Sequence, residues 1–123
     1  MKKVWAIVME EGYDLVDFEF GDTPEEALQA YVQRAHVPEE DARLLYAIPG
    51  DKVWDNVKIP GWLLSALEYG PDFAFGPEES SPEAWEDYRR VLKALAEKGV
   101  KVNDIVGWVR VNSVFDMWAP VVK

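Results

Sequence analysis

The sequence predicts an α+β fold: one small domain with a mostly antiparallel sheet, helices packed on one face, in the order β-hairpin–α–β-hairpin–α–α–β. Three observations carry this. A chain of 123 residues has the length of one domain, with no linker or internal repeat to divide residues 1–123. Short apolar or alternating runs bounded by Gly, Pro and Asp recur near both ends, which is the pattern of strands. Two longer stretches carry apolar residues at helical spacing between clear start and stop signals.

Val4 to Met9 (VWAIVM) is continuously apolar, as suits a strand covered on both faces. Leu15 to Phe20 (LVDFEF) alternates, placing Val16, Phe18 and Phe20 on one side and Asp17 and Glu19 on the other. The EEGYD between them reads as the turn of a hairpin. Thr23-Pro24-Glu25-Glu26 then opens a helix: Thr23 is a good N-cap, Pro24 suits the first helical position, and Glu26 completes a capping box. Ala27, Leu28, Tyr31, Val32 and Ala35 form its apolar stripe, and Pro38 ends it near His36. PEEDA at 38–42 has room for one acidic helical turn.

RLLYAI and KVWDNVKI, around Pro49-Gly50-Asp51, predict a second hairpin over 43–59, with a helix in its first part as the alternative. PGWLLSALEY at 60–69 reads as a short buried helix closed by Gly70-Pro71. GPDFAFGPEESS at 70–81 reads as a loop. The strongest helical signal spans Pro82 to Lys98, with Ser81 as cap, Gly99 as stop, and Trp85, Tyr88, Val91, Leu92 and Leu95 on one face. Val102 to Val111 reads as a strand, followed by a further strand or extended tail through Val122, although Asn103 could instead cap a helix.

Composition bounds the function. Hydrophobic residues make up 49% of the chain, including 6 Trp, 5 Tyr and 5 Phe, which is enough for a core and excludes disorder. The absence of Cys rules out disulfides and thiolate metal sites. No apolar run reaches membrane-spanning length. MKKVWAIVME lacks a cleavage site and stops at Glu10, so a first strand in a cytoplasmic protein is expected rather than a signal peptide. Few Asn and Gln beside abundant Glu is a bias seen in thermophile proteins.

The net charge is −10 and unevenly placed. Residues 1–87 hold 20 acids against 6 bases, whereas residues 88–123 hold 3 against 7. Residues 10–28 alone hold 8 carboxylates and no base. Such a field repels nucleic acid and anionic lipid and favours a basic protein partner.

Few motifs carry chemistry. His36 is the only histidine, so a two-histidine zinc motif is excluded, and its place at a helix end suits an ordinary interaction with the last carbonyls. No P-loop, GxGxxG or GxSxG is present. Asp17 and Glu19 share a strand face and could pair as acid and base, but an exposed pair lacks the desolvation that splits pKa values. Glu10, Glu11 and Asp14 flank a glycine turn without calcium-loop spacing. No cofactor or metal is expected.

KVWAIVMEEGYDLVDFEF followed by GDTPEEALQAYV resembles the N-terminal part of HicB-like antitoxins, through Ala6, Ile7, Val8, Glu11, Gly12, Tyr13, Phe18 and Gly21 to Leu28. The resemblance covers residues 3–32 of the 123. It implies a strand–strand–helix start and neutralisation of a small basic RNA-cleaving toxin, often with a C-terminal DNA-binding part. The family's P-D-L-P-G segment and its next strand have no counterpart here, and residues 88–123 show no helix-turn-helix or ribbon-helix-helix.

The leading expectation is therefore a non-catalytic acidic binding or inhibitor protein, of antitoxin, immunity or phage-inhibitor type, that docks on a basic partner, with mimicry of nucleic acid as one form of that docking. The residues expected to carry it are Glu10, Glu11, Asp14, Asp17, Glu19, Asp22 and Glu25, with Trp54, Phe73 and Phe75 as apolar anchors. The alternatives are a small enzyme or ligand-binding domain with a carboxylate- and Trp-lined pocket, and acidity that serves only solubility.

Overall fold

In the computed structural model, which describes residues 2–123, the first hairpin forms where the sequence predicts it. A register shift at Val16 nevertheless breaks the expected alternation: Leu15 and Phe18 pack on the core, whereas Val16 and Phe20 are exposed. β1 (Lys3–Met9) pairs antiparallel with β2 (Asp14–Gly21), and Ala6, Ile7 and Val8 are fully buried. The turn between them places Gly12 and Tyr13 in the left-handed region, at φ of 78° and 56°. α1 (Pro24–Ala35) begins where Thr23 Oγ1 accepts the Glu26 N–H at 3.1 Å, and ends at His36, itself left-handed at φ 54°. The single turn α2 (Glu39–Ala42) leads into β3 (Leu45–Pro49).

The second hairpin predicted over 43–59 does not form. β3 pairs with β1, while Val53 bridges Val121 and the two-residue β4 (Ile59–Pro60) pairs with the last strand. The reason is burial: β1 is apolar on both faces and lies at the middle of its half-sheet, so it takes a partner on each edge. α3 (Leu64–Tyr69) is the expected short buried helix. The segment read as a loop holds one further short helix, α4 (Pro71–Phe75), between Gly70 and Gly76.

α5 (Pro82–Glu97) is the longest helix and stops at Gly99, which is left-handed at φ 78° and lets the Val100 N–H donate to the Leu95 carbonyl at 2.9 Å. Ser81 does not cap it; the Ser81 hydroxyl donates to the Phe75 carbonyl instead. β5 (Ile105–Asn112) and β6 (Met117–Val122) close the chain as an antiparallel hairpin.

The six strands run β3-β1-β2-β5-β6-β4 in one mixed sheet. Its two antiparallel halves join at one parallel pair, Asp14 opposite Arg110. The sheet curls, because residues from both halves share one core: Ala6 and Val8 meet Val53, Val109 and Ala119. The helices α1, α3 and α5 pack over two further clusters. There α1 covers Ile7 and Leu45 through Ala27 and Tyr31, and α3 and α5 cover Trp108 and Val122 through Leu67 and Leu95. No helix among the described residues is long and apolar enough to cross a membrane.

Candidate docking surface

The seven acids singled out from the sequence fall into three groups. Glu10, Glu11 and Asp14 lie at the β1–β2 turn, and Asp22 and Glu25 lie at the far end of the same hairpin, about 24 Å away at a strand's rise per residue. Asp17 and Glu19 stand between them on the helix-covered face, opposite Ile7 and Trp5.

Three of the seven are already engaged within the chain. Arg34 of α1 reaches back over β2, its Nη2 lying 3.0 Å from Asp17 Oδ2 and its Nε 2.8 Å from Glu19 Oε2. The same two carboxylates accept the backbone N–H groups of Phe18 and Phe20, at 2.7 and 3.2 Å. These N–H groups point away from β1, because Ala6/Phe18 and Val4/Phe20 are pairs that exchange no ladder bonds. Asp17 and Glu19 thus seal the β2 edge beyond its junction with β5. The Arg34 hydrogen bonds, with the backbone donors second, hold both carboxyls below their usual range.

Asp14 stitches the two half-sheets. Arg110 grips it with both arms, Nε to Oδ1 at 2.6 Å and Nη2 to Oδ2 at 2.9 Å, and lies 5.9 Å from the centre of the Trp118 ring. This bidentate bond lowers the Asp14 pKa. Trp118 in turn donates from Nε1 to Asp116 at 2.8 Å. Every displaced carboxyl is therefore held ionised, the wrong direction for a general acid at neutral pH.

The remaining acids of the turn have company from elsewhere in the chain. The Glu10 N–H donates to the Leu44 carbonyl at 2.8 Å, and the Leu44 N–H donates to that of Asp41 at 3.0 Å. These bonds bring α2, with Glu39, Glu40 and Asp41, beside Glu10 and Glu11. All five side chains are solvent-exposed, and none forms an ion pair among the described residues. Arg43 is the one base of this rim, with its Nε turned to the Glu40 carbonyl at 3.3 Å.

Beside the rim lies an open groove of about 500 Å³, walled by Tyr13, Tyr46, Ile48, Trp108, Trp118 and Val121. Tyr13 belongs to the acidic turn itself, and Tyr46 feels it: burial first, then Tyr13 and Glu10, push its phenol pKa up. Sequence reasoning missed the groove. Tyr46 and Val121 read there as strand residues, and only the curl of the sheet brings them together. The apolar anchors named from the sequence lie elsewhere. Trp54 and Phe75 pack against the α3–α5 core, and the Trp54 Nε1 is buried without a hydrogen-bond partner among the described residues. Phe73 is 76% exposed and its ring lies tilted against that of Tyr69, with ring centres 5.4 Å apart.

Comparison of the chain with protein-family models, with curated proteins and with solved structures finds no match in any of the three. The described residues contain no group of three or more His, Cys, Asp or Glu that could hold a metal ion, and no buried polar or charged residue. His36 is exposed at the end of α1.

Proposed function

We propose that this protein is a non-catalytic binding protein that docks on a basic protein partner through the acidic rim and the aromatic groove beside it. The observation that carries the reading is their juxtaposition: Glu10, Glu11, Glu39, Glu40 and Asp41, without ion pairs among the described residues, stand next to a groove walled by Tyr13, Tyr46 and Trp118. Free carboxylates steer a cationic surface during encounter, and an aromatic recess gives it somewhere to bury an apolar or cationic side chain. Asp14, Asp17 and Glu19 leave the expected contact set, since their charges are met by Arg110 and Arg34. The residues from Glu10 to Asp41 hold 11 acids against one Arg, a density that suits occupation of a cationic nucleic-acid groove on a cytoplasmic partner. The resemblance of residues 3–32 to HicB-like antitoxins points the same way, toward neutralisation of a small basic enzyme.

The test compares two fourfold charge reversals in pull-downs from native lysate at low and high salt. Glu10, Glu11, Glu39 and Glu40 to Lys should abolish salt-sensitive capture of a basic protein. Asp51, Asp55, Glu79 and Glu97 to Lys, an equal charge change on other exposed positions, should preserve it. Equal loss in both variants would reduce the acidity to a net-charge effect and overturn the reading.

A second reading has one observation behind it. The groove's volume falls within the 300–1,000 Å³ typical of small-molecule sites. A thermal-shift screen of cationic aromatic compounds, repeated with Trp118→Ala, separates a ligand site from a protein-docking recess.

A further inference from the structure

The sheet has an edge that its own chain leaves open. The Glu10 N–H donates to the Leu44 carbonyl, one step beyond the Met9/Leu45 pair, so the even-numbered residues of β1 turn their backbone groups toward β3. Bonded and non-bonded pairs alternate. Val8/Tyr46 and Ala6/Ile48 are therefore bonded pairs, while Leu45, Ala47 and Pro49 face Met9, Ile7 and Trp5 without exchanging ladder bonds. The N–H groups of Leu45 and Ala47, and the carbonyls of Leu45, Ala47 and Pro49, then point outward from the sheet. β3 is the terminal strand of the order, and no strand among the described residues pairs with that side.

The contrast with β2 gives this edge its meaning. On β2 the outward N–H groups of Phe18 and Phe20 are stopped by the carboxylates of Asp17 and Glu19, a device that denies the edge to another chain. No side chain among the described residues does this for Leu45 or Ala47; their neighbours along the strand are Tyr46 and Ile48, which wall the groove. At the strand's entry stand Glu39, Glu40 and Asp41, with Glu10 and Glu11 across from them.

We propose that β3 is a strand-addition site, and that its occupant is an extended segment of the basic partner, with apolar and Lys or Arg side chains at alternate positions. Its backbone would pair with the outward groups of Leu45, Ala47 and Pro49. Side chains on the groove side would enter between Tyr46 and Ile48, and the basic ones would meet the acidic rim. Charge complementarity selects this occupant over a second copy of the chain, whose own β3 would bring a like-charged rim to the contact. Main-chain bonds supply the attachment and alternate side chains the selectivity. The inference rests on the docking function proposed above and adds where and how the partner's chain lies.

The experiment uses the full chain, labelled with 15N, and a mixture of nine-residue peptides with Lys or Arg at alternate positions and Val, Ile, Leu or Tyr between. A matching mixture carries N-methyl groups on alternate peptide bonds, which keeps charge and removes backbone donors. Strand addition predicts that the parent mixture slows amide exchange at Leu45 and Ala47 at least tenfold, and that the N-methyl mixture binds at least tenfold more weakly. Equal binding of both mixtures at low salt, without protection at Leu45 and Ala47, would overturn strand addition and leave electrostatic docking standing. Binding of neither mixture at low salt would count against both. Concentration-dependent protection of the same amides without any peptide would show a second copy as the occupant and overturn the proposal.

Discussion

Leu95→Ala tests the architecture most directly, because Leu95 sits at the centre of the core beneath α5 while half of the sheet lies on the other side of the molecule. Leu95 is 1% exposed and packs with Ile59, Leu63, Leu67 and Val100. Truncation removes its isopropyl end from a site walled by β4, by α3 and the turn before it, and by the end of α5, so collapse is limited and the cost is about 3 kcal/mol. With about 2.1 cal/mol/K of unfolding entropy per residue over 123 residues, that loss lowers Tm by about 12 °C. The second consequence concerns cooperativity. The halves are stitched by one parallel pair but share the core of Ala6, Val8, Val53, Val109 and Ala119. The β1–β2–β3 half should therefore melt together with the α5 half in the variant. Far-UV circular dichroism, near-UV dichroism and tryptophan fluorescence followed on one thermal scan give the answer. Coincident curves displaced by about 12 °C are expected. A loss under about 1 kcal/mol would mean that α5 is not seated as described. Two separated transitions would refute the shared core.

Three further outcomes follow from local geometry. Thr23→Ala removes the oxygen that accepts the Glu26 N–H and should cost about 1 kcal/mol in a urea titration; an unchanged midpoint would show that solvent replaces the cap without loss. Gly12→Ala places a side chain at φ +78° with its Cβ 2.8 Å from Arg110 Nη2, so a cost of about 1–2 kcal/mol from the left-handed backbone should come with loosening of the Asp14–Arg110 stitch, visible as a rise of the Asp14 pKa by NMR titration. Arg34→Gln should act through pH. Asp17 and Glu19 have lowered folded-state pKa values, so their stabilisation is present above the ordinary carboxylate range and lost as pH falls through those lowered values. The Tm deficit of the variant should be largest near neutrality and vanish in strong acid; a deficit independent of pH would assign Arg34 a packing role alone.

The charge pattern of residues 10–28 shows how far the sequence speaks for itself. Its excess of carboxylates and the strand–turn–strand–cap order are legible, because alternation, a glycine turn and a Thr-Pro-Glu-Glu start act over a few residues. The destination of each charge is not. Asp17 and Glu19 read as a free pair on a solvated face, yet Arg34, 15 and 17 residues away, turns them into ion pairs and edge seals. Trp85 follows the helical period of Leu95 and Leu92, but its Nε1 donates to the Gly76 carbonyl and its ring stands edge-on to Tyr88 at 6.5 Å, at the margin of the core.

The sequence by itself determined the α+β class, both long helices with their stops, the first hairpin and the acidic surface. Each depends on burial periodicity or on hydrogen bonds closed within one turn of chain. Tertiary structure alone decided that β3 joins β1 rather than β4, that Asp14 meets Arg110 across 96 residues, and that Tyr13, Tyr46 and Trp118 wall one groove. Such pairings are selected by the total apolar area the curled sheet encloses. No local window contains that quantity.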